Sequence, residues 1–259
     1  MRSCPSFLLG FFHVASFDTR NRVLMSLTER DLALLQAHFE YVELPVRFRI
    51  ETPNKPISHV YFVERGIVSV VTTGPKRLPI EVAVVGYEGF TGVAVVLGGD
   101  RSPLDTYVQV AGQGYRIDVD ALQRAIADSP TLANLLNRFS QAFITQISQT
   151  ALANGRAKLE ERLARWLLMA QDRLQSDDLP LTHEFLALML AVRRPGVTVE
   201  LSKLQVQGLL RVRRGAITIE DRQGLLKIAT NFTAFPKRSW TGFWRFESKA
   251  ARARARAVR

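Results

Sequence analysis

Apolar positions along this chain change their period twice, and each change marks an architectural boundary. Behind Ser26-Leu-Thr28, which supplies helix-capping side chains, Leu32, Leu34, Leu35 and Phe39 fall on a helical stripe. After Pro45 the texture becomes that of strands: residues 46–50, 59–63, 66–71, 80–85, 106–110 and 115–117 are short runs separated by Gly, Pro, Asn and Asp. Strands this short and closely spaced predict an antiparallel barrel or jelly roll. From Asp118 the helical spacing returns, first over residues 118–126. Pro130 then opens a long helix carrying Leu132, Leu135, Leu136, Phe139, Phe143, Ile144, Ile147 and Leu152. Its flanks hold Asn, Gln, Ser and Thr with little charge, which predicts packing against another helix. Leu132, Leu136, Phe139, Phe143 and Ile147 are the expected seam with a second copy of the chain, with the chain's own core as the competing partner. A further helix over residues 158–174 turns Leu159, Leu163, Trp166, Leu167 and Ala170 inward, and Ser176-Asp-Asp-Leu-Pro180 reads as a loop.

Residues 181–221 carry the most specific pattern. Thr182 can cap a helix whose inward face is Phe185, Leu186 and Met189, and Ala191-Val-Arg-Arg-Pro195 breaks it. A second helix starts near Pro195 and runs through Val197, Val199, Leu201 and Leu204 to Gly208. Residues 209–212 resume as a strand, Arg213-Arg-Gly215 turns, and residues 216–220 return. Helix, tight turn, helix and hairpin make a winged helix-turn-helix. Arg193 and Arg194 stand at the start of its second helix, in reach of base edges, where a bidentate arginine on guanine contributes about 1–3 kcal/mol of discrimination. Thr198 and the helix N-terminus suit phosphate. Arg211, Arg213 and Arg214 lie on the wing and suit phosphate or the minor groove.

Composition narrows the classes. A chain of 259 residues that is 47% apolar and 23% charged is long enough for one large domain or two modest ones and is not disordered throughout. Its one cysteine, Cys4, excludes an internal disulfide framework, a cysteine-ligated zinc and a four-cysteine iron–sulfur cluster. The net charge of +11 suggests a polyanionic partner. Most of it sits at the end, where Lys237, Arg238, Arg245, Lys249, Arg252, Arg254, Arg256 and Arg259 face one acid, Glu247. That tail reads either as a basic arm gripping flanking phosphates or as a terminus without a selected role. Residues 7–15 mimic a short secretory signal but include His13, and no apolar run is long enough to span a membrane.

These residues resemble the Crp/Fnr-type bacterial transcriptional regulators over roughly residues 21–226. The resemblance rests on Pro56-Ile-Ser-His-Val-Tyr-Phe-Val63, Gly86-Tyr-Glu-Gly89, Leu97-Gly-Gly, Val108-Gln-Val, the run from Leu159 to Met169, and most specifically residues 181–198 with Gly215-Ala-Ile-Thr-Ile-Glu-Asp-Arg222. It implies an α+β chain with a cyclic-nucleotide-binding-like β-roll sensor domain, a long dimerisation helix and a C-terminal winged helix-turn-helix domain, with Arg193, Arg194, Thr198 and Lys203 on or near the DNA face. Two departures stand out. Gly89-Phe90-Thr91 replaces the Gly-Glu-Leu that opens the family's phosphate cassette, so its ribose-binding Glu is gone. Arg101-Ser102-Pro103 matches the family's phosphate-binding Arg-Ser-Ala only loosely, leaving Arg101 as an effector-site candidate in a divergent pocket. The chain also continues past the wing, where the family closes with a short helix.

The expected organisation is a disordered extension over 1–24, the sensor domain over 25–127, the dimerisation helix over 128–156, the DNA-binding domain over 157–228 and a disordered basic tail over 229–259. The expected protein is a cytoplasmic homodimer on double-stranded DNA, with an unidentified small-molecule effector and RNA polymerase as further partners. No membrane partner, cofactor, metal or catalytic residue is expected. The rival reading is a small-molecule-binding or cupin-like barrel whose helical half mediates assembly. A metal-dependent barrel enzyme needs clustered His and Glu, and the β region has only His59.

Overall fold

A computed structural model describes residues 17–74 and 79–229. Cys4, the apolar stretch 7–15 and the basic tail from residue 230 lie outside the described residues.

The chain opens with α1 (Arg22–Met25) and α2 (Glu29–Gln36), capped by the side chains of Asn21 and Thr28. Four strands and a short helix follow: β1 (Glu40–Leu44), β2 (Arg49–Glu51), β3 (His59–Thr73), β4 (Pro79–Val85) and α3 (Val93–Val96). β5 (Asp105–Asp118) then leads into α4 (Val119–Asp128) and α5 (Pro130–Arg156). The strands form one antiparallel sheet in the order β1-β5-β3-β4, with β2 also paired to β5. The remainder is α6 (Leu159–Leu174), β6 (Asp178–Leu179), α7 (His183–Met189), α8 (Arg194–Val206), β7 (Leu210–Arg213), β8 (Ala216–Ile219) and α9 (Arg222–Ile228). β6, β8 and β7 make a second, three-stranded antiparallel sheet.

Several sequence expectations are corrected. Residues 59–63 and 66–71 are one strand, because Gly66 at φ 91° carries β3 through an irregular register where a Cβ would collide with the backbone of β5. Residues 106–110 and 115–117 likewise join in β5. Only the end of 46–50 is strand: the Phe48 N–H donates to the Pro45 carbonyl at 3.0 Å, closing a turn through Arg47 at φ 68°. The loop at 176–180 contains β6. The extension expected to be disordered to residue 24 is packed from Phe17. Asn21 is fully buried, and its amide donates to the carbonyls of Val63 and Gly89 at 2.8 and 2.7 Å.

The largest correction concerns the expected seam. Leu132, Leu136, Phe139 and Phe143 are buried in the β-roll's own core, and Ile147 packs against that core half-buried. Truncating a phenylalanine packed this way costs about 3–5 kcal/mol, so the stripe is not available to a partner. What α5 turns outward is polar and small, with Ile144 (44% exposed) and Leu152 (47%) as its large apolar members.

A second core joins the helix-turn-helix to the sheet, with Ile67 and Val84 packed among residues of α6, α7 and α8. Polar groups lock this joint. The Trp166 indole N–H donates to Glu81 at 2.6 Å and the Ser69 hydroxyl donates to its other oxygen at 2.7 Å. Arg173 of α6 pairs with Glu88 at 2.8 Å and donates to the carbonyls of Met169 and Val84. Burial pushes the Glu81 carboxyl up to about 7, against the opposing pull of the Ser69 and Trp166 hydrogen bonds and the charges of Arg173 and Arg165.

The fold therefore holds a proton on Glu81 that the unfolded chain has lost above its ordinary value of 4.5, and stability falls as pH rises from there through about 7. Glu81→Gln is expected to remove this loss. In thermal unfolding, the melting temperature of the variant relative to the native chain should rise by roughly 5 °C between pH 5 and pH 8. A difference independent of pH would place the titration elsewhere.

Candidate nucleic-acid interface

α7 and α8 are held together by Leu186, Met189, Val197, Leu201 and Leu204, all buried. Between them the chain turns at Ala191, whose φ of 49° lies in the left-handed region. The Val192 N–H donates back to the Ala187 carbonyl at 3.0 Å, so the turn is tight and fixes how α8 leaves it. Arg193 is the N-cap of α8 without using its side chain as a cap, and Arg194 is the first helical residue. Both are exposed, and neither is ion-paired among the described residues.

The other expected contacts differ from these. Thr198 is exposed, but its hydroxyl donates to the Arg194 carbonyl at 3.2 Å and lies 2.9 Å from His183 Nδ1 on α7. The sequence pattern does not single out His183, because its partner is 15 residues away. Only its place at the first position of α7 hints at it. Lys203 is paired with Glu200 at 2.9 Å and Arg211 with Glu220 at 2.8 Å. Exposed pairs of this kind contribute only about 0–1 kcal/mol, so a phosphate can replace either carboxylate at little cost. Arg213 and Arg214 are exposed at the tip of the wing, without ion pairs among the described residues. Gln205 of α8 accepts from the Val212 N–H at 3.0 Å, which ties the helix to the hairpin.

The expected effector position is built differently. Gly89-Phe90-Thr91 is core: Phe90 is fully buried 4.4 Å from the Phe139 ring, and Thr91 Oγ1 accepts from the Tyr61 N–H. The short helix α3 opens beyond it, at Gly92, and its first turn carries no acid. The Gly92 N–H donates at 2.8 Å to Glu51, a buried carboxylate from the facing strand whose pKa is raised by burial. Arg101 is exposed and holds the neighbouring Asp100 through both Nε and Nη2, at 2.9 and 2.6 Å. Among the described residues, no group of three or more His, Cys, Asp or Glu could hold a metal, and no helix is long and apolar enough to cross a membrane.

With this geometry in hand, likeness to known proteins is informative. Residues 161–228 match the Crp-like helix-turn-helix domain. The global nitrogen regulator of Synechococcus elongatus is 24% identical over 179 residues, which cover 64% of this chain and 79% of that protein. Among solved structures, FixK2 from Bradyrhizobium japonicum superposes with a TM-score of 0.65 at 20% identity, covering 73% of this chain and 96% of its own. The c-di-GMP-responsive global regulator CLP of Xanthomonas campestris gives 0.62 at 17%, covering 75% and 100%. A CRP/FNR-family transcriptional regulator from Thermus thermophilus gives 0.61 at 20%, covering 74% and 100%. The β-roll, long helix and helix-turn-helix are thus a fold that this chain shares with proteins described as transcriptional or global regulators.

The turn at Ala191 gives a direct test of the helix-turn-helix geometry. A left-handed residue with a Cβ costs roughly 1–2 kcal/mol, and glycine recovers most of this after its larger unfolded-chain entropy is subtracted. Ala191→Gly is expected to raise the unfolding free energy by roughly 0.5–1 kcal/mol in a denaturant titration. A decrease would contradict the left-handed turn.

Proposed function

We propose that the chain is a Crp/Fnr-type transcriptional regulator with a helix-turn-helix DNA-binding domain, and that it acts as a homodimer in the cytoplasm on a pseudo-palindromic DNA site. Each α8 enters a major groove, and the two half-sites lie about one helical turn apart. The observation that carries this reading is the exposed Arg193–Arg194 pair, without ion pairs among the described residues, at the start of a helix whose direction is set by a tight turn. Arg194 reads a base edge, with guanine the favoured partner, and Arg193 holds the adjoining phosphate. Arg213 and Arg214 at the wing tip reach backbone or minor groove. Lys203 and Arg211 exchange their carboxylates for phosphate, and Thr198 with His183 braces the helix start.

For the dimer, the outward face of α5 supplies the surface. Ile144, Ser148 and Leu152 stack four residues apart, flanked by Asn137, Gln141 and Ala151, all exposed. A weakly charged stripe of small and apolar side chains suits a second copy of the same helix. The effector is proposed to be something other than a cyclic nucleotide bound in the family's manner, since Glu51 already takes the Gly92 amide and Arg101 is held by Asp100. RNA polymerase remains the partner through which the bound dimer would act.

Two measurements test this reading. In a gel shift on the chain's own upstream region, Arg194→Ala is expected to weaken specific binding by about tenfold or more and to flatten the sequence preference. Unchanged preference would remove Arg194 from the recognition surface. In sedimentation, Ile144→Glu combined with Leu152→Glu is expected to give a folded monomer whose affinity for a two-half-site DNA falls at least about tenfold. A variant that remains dimeric would move the interface elsewhere.

A further inference from the structure

The outward face of α8 carries an apolar side chain that the core does not use. Val197, Leu201 and Leu204 form the buried side of this helix, whereas Val199 is 51% exposed. It sits one turn beyond Pro195, and together with Thr198, Ser202, Lys203, Val206 and Gln207 it lines a shallow open depression on the helix surface, with Val206 at the far end. The start of this face thus presents two guanidinium groups, small hydroxyls and a branched apolar group. The one carboxylate of the helix, Glu200, is turned toward Lys203 and largely shielded.

A groove reader with this inventory has few options. A carboxylate would accept from the cytosine amine, and an amide would bracket adenine. Val199 can do neither, but it matches the one apolar group that the major groove displays, the C5 methyl of thymine. We propose that Val199 is a specificity-determining residue that packs on a thymine methyl in each half-site, beside the base read by Arg194. The inference rests on the DNA-binding reading above and adds to it the identity of a second base.

The test uses the full chain and a site selected from random DNA, in which each thymine is replaced in turn by deoxyuridine. The two bases differ only in the methyl group. The native chain is expected to lose about fourfold in affinity at one thymine of each half-site, the size of one buried methyl group. Val199→Ala should bind thymine and uracil equally at that position while keeping its preferences elsewhere. Because Val199 is exposed, this variant keeps its core. Val46→Ala changes a valine that is 56% exposed in the β-roll, away from α8, and should show the native pattern. Uniform tolerance of uracil by the native chain would overturn the proposal while leaving the DNA-binding reading intact. A methyl preference that survives Val199→Ala would do the same. Failure to select any site would overturn the DNA-binding reading, and this inference with it.

Discussion

The burial of the phenylalanine face of α5 in the β-roll is the constraint on which the other parts depend. Phe139 is 1% exposed and lies against Phe90, which in turn meets Phe62 at 5.4 Å between ring centroids. Gly89 has to be glycine here, because a Cβ would strike the Phe139 ring. Further along the helix, Gln146 accepts from the Val84 N–H at 2.9 Å and donates to the Val84 carbonyl at 3.1 Å, so its amide takes the place of a neighbouring strand. The helix is thereby fixed in rotation as well as in position. Its outward stripe, and the direction in which it delivers the next helix, are consequences of that rotation.

The second half of the chain is docked on the first through charges and polar groups removed from water. Breaking a buried pair such as Arg173–Glu88 strands a charge and costs about 3–5 kcal/mol, so the joint tolerates little sliding. It is not perfectly satisfied: among the described residues, Arg173 Nε, Arg162 Nε and Gln109 Nε2 lack hydrogen-bond partners, and a cavity of about 20 Å³ beside Glu81 is lined by Arg162, Arg165 and Trp166. Burial also lowers the Arg165 pKa to about 10, with the like charge of Arg173 as the second cause. A joint with strong buried pairs resists sliding, and its unpaired groups mark where its polar network is incomplete.

Much of this was readable from the residues, and the failures share a cause. The helical stripe of α5, the caps at Thr28 and Thr182, and the break between α7 and α8 are local signals, and each produces the element it announces. Non-local facts were not readable in the same way. A stripe such as Leu132 to Ile147 says that a helix is apolar on one side, but the identity of its partner depends on the sheet 40 to 80 residues earlier. The continuity of β3 through Gly66 depends on what β5 places opposite it. In the candidate interface, the exposure of Arg193 and Arg194 followed from the turn chemistry. The engagement of Thr198 by His183 and of Arg211 by Glu220 required the tertiary structure.

The distribution of charge separates affinity from selectivity in this chain. The excess of basic residues after Lys237 would attract any polyanion, and attraction of that kind rises and falls with salt in the same way on every sequence. The described interface works on different terms. Around α8 and the wing, acids pair with Lys203 and Arg211, leaving a few cations at the helix start and the hairpin tip rather than a broad basic field. A surface with so few unpaired charges gains little from nonspecific contact, so its selectivity has to come from where those charges stand. That placement is set by the Ala191 turn, the buried underside of α8 and the Gln205 tie to the wing. On the proposed reading, recognition rests on the packing that holds a small number of side chains in register with a groove, and the charge total of the chain is secondary to it.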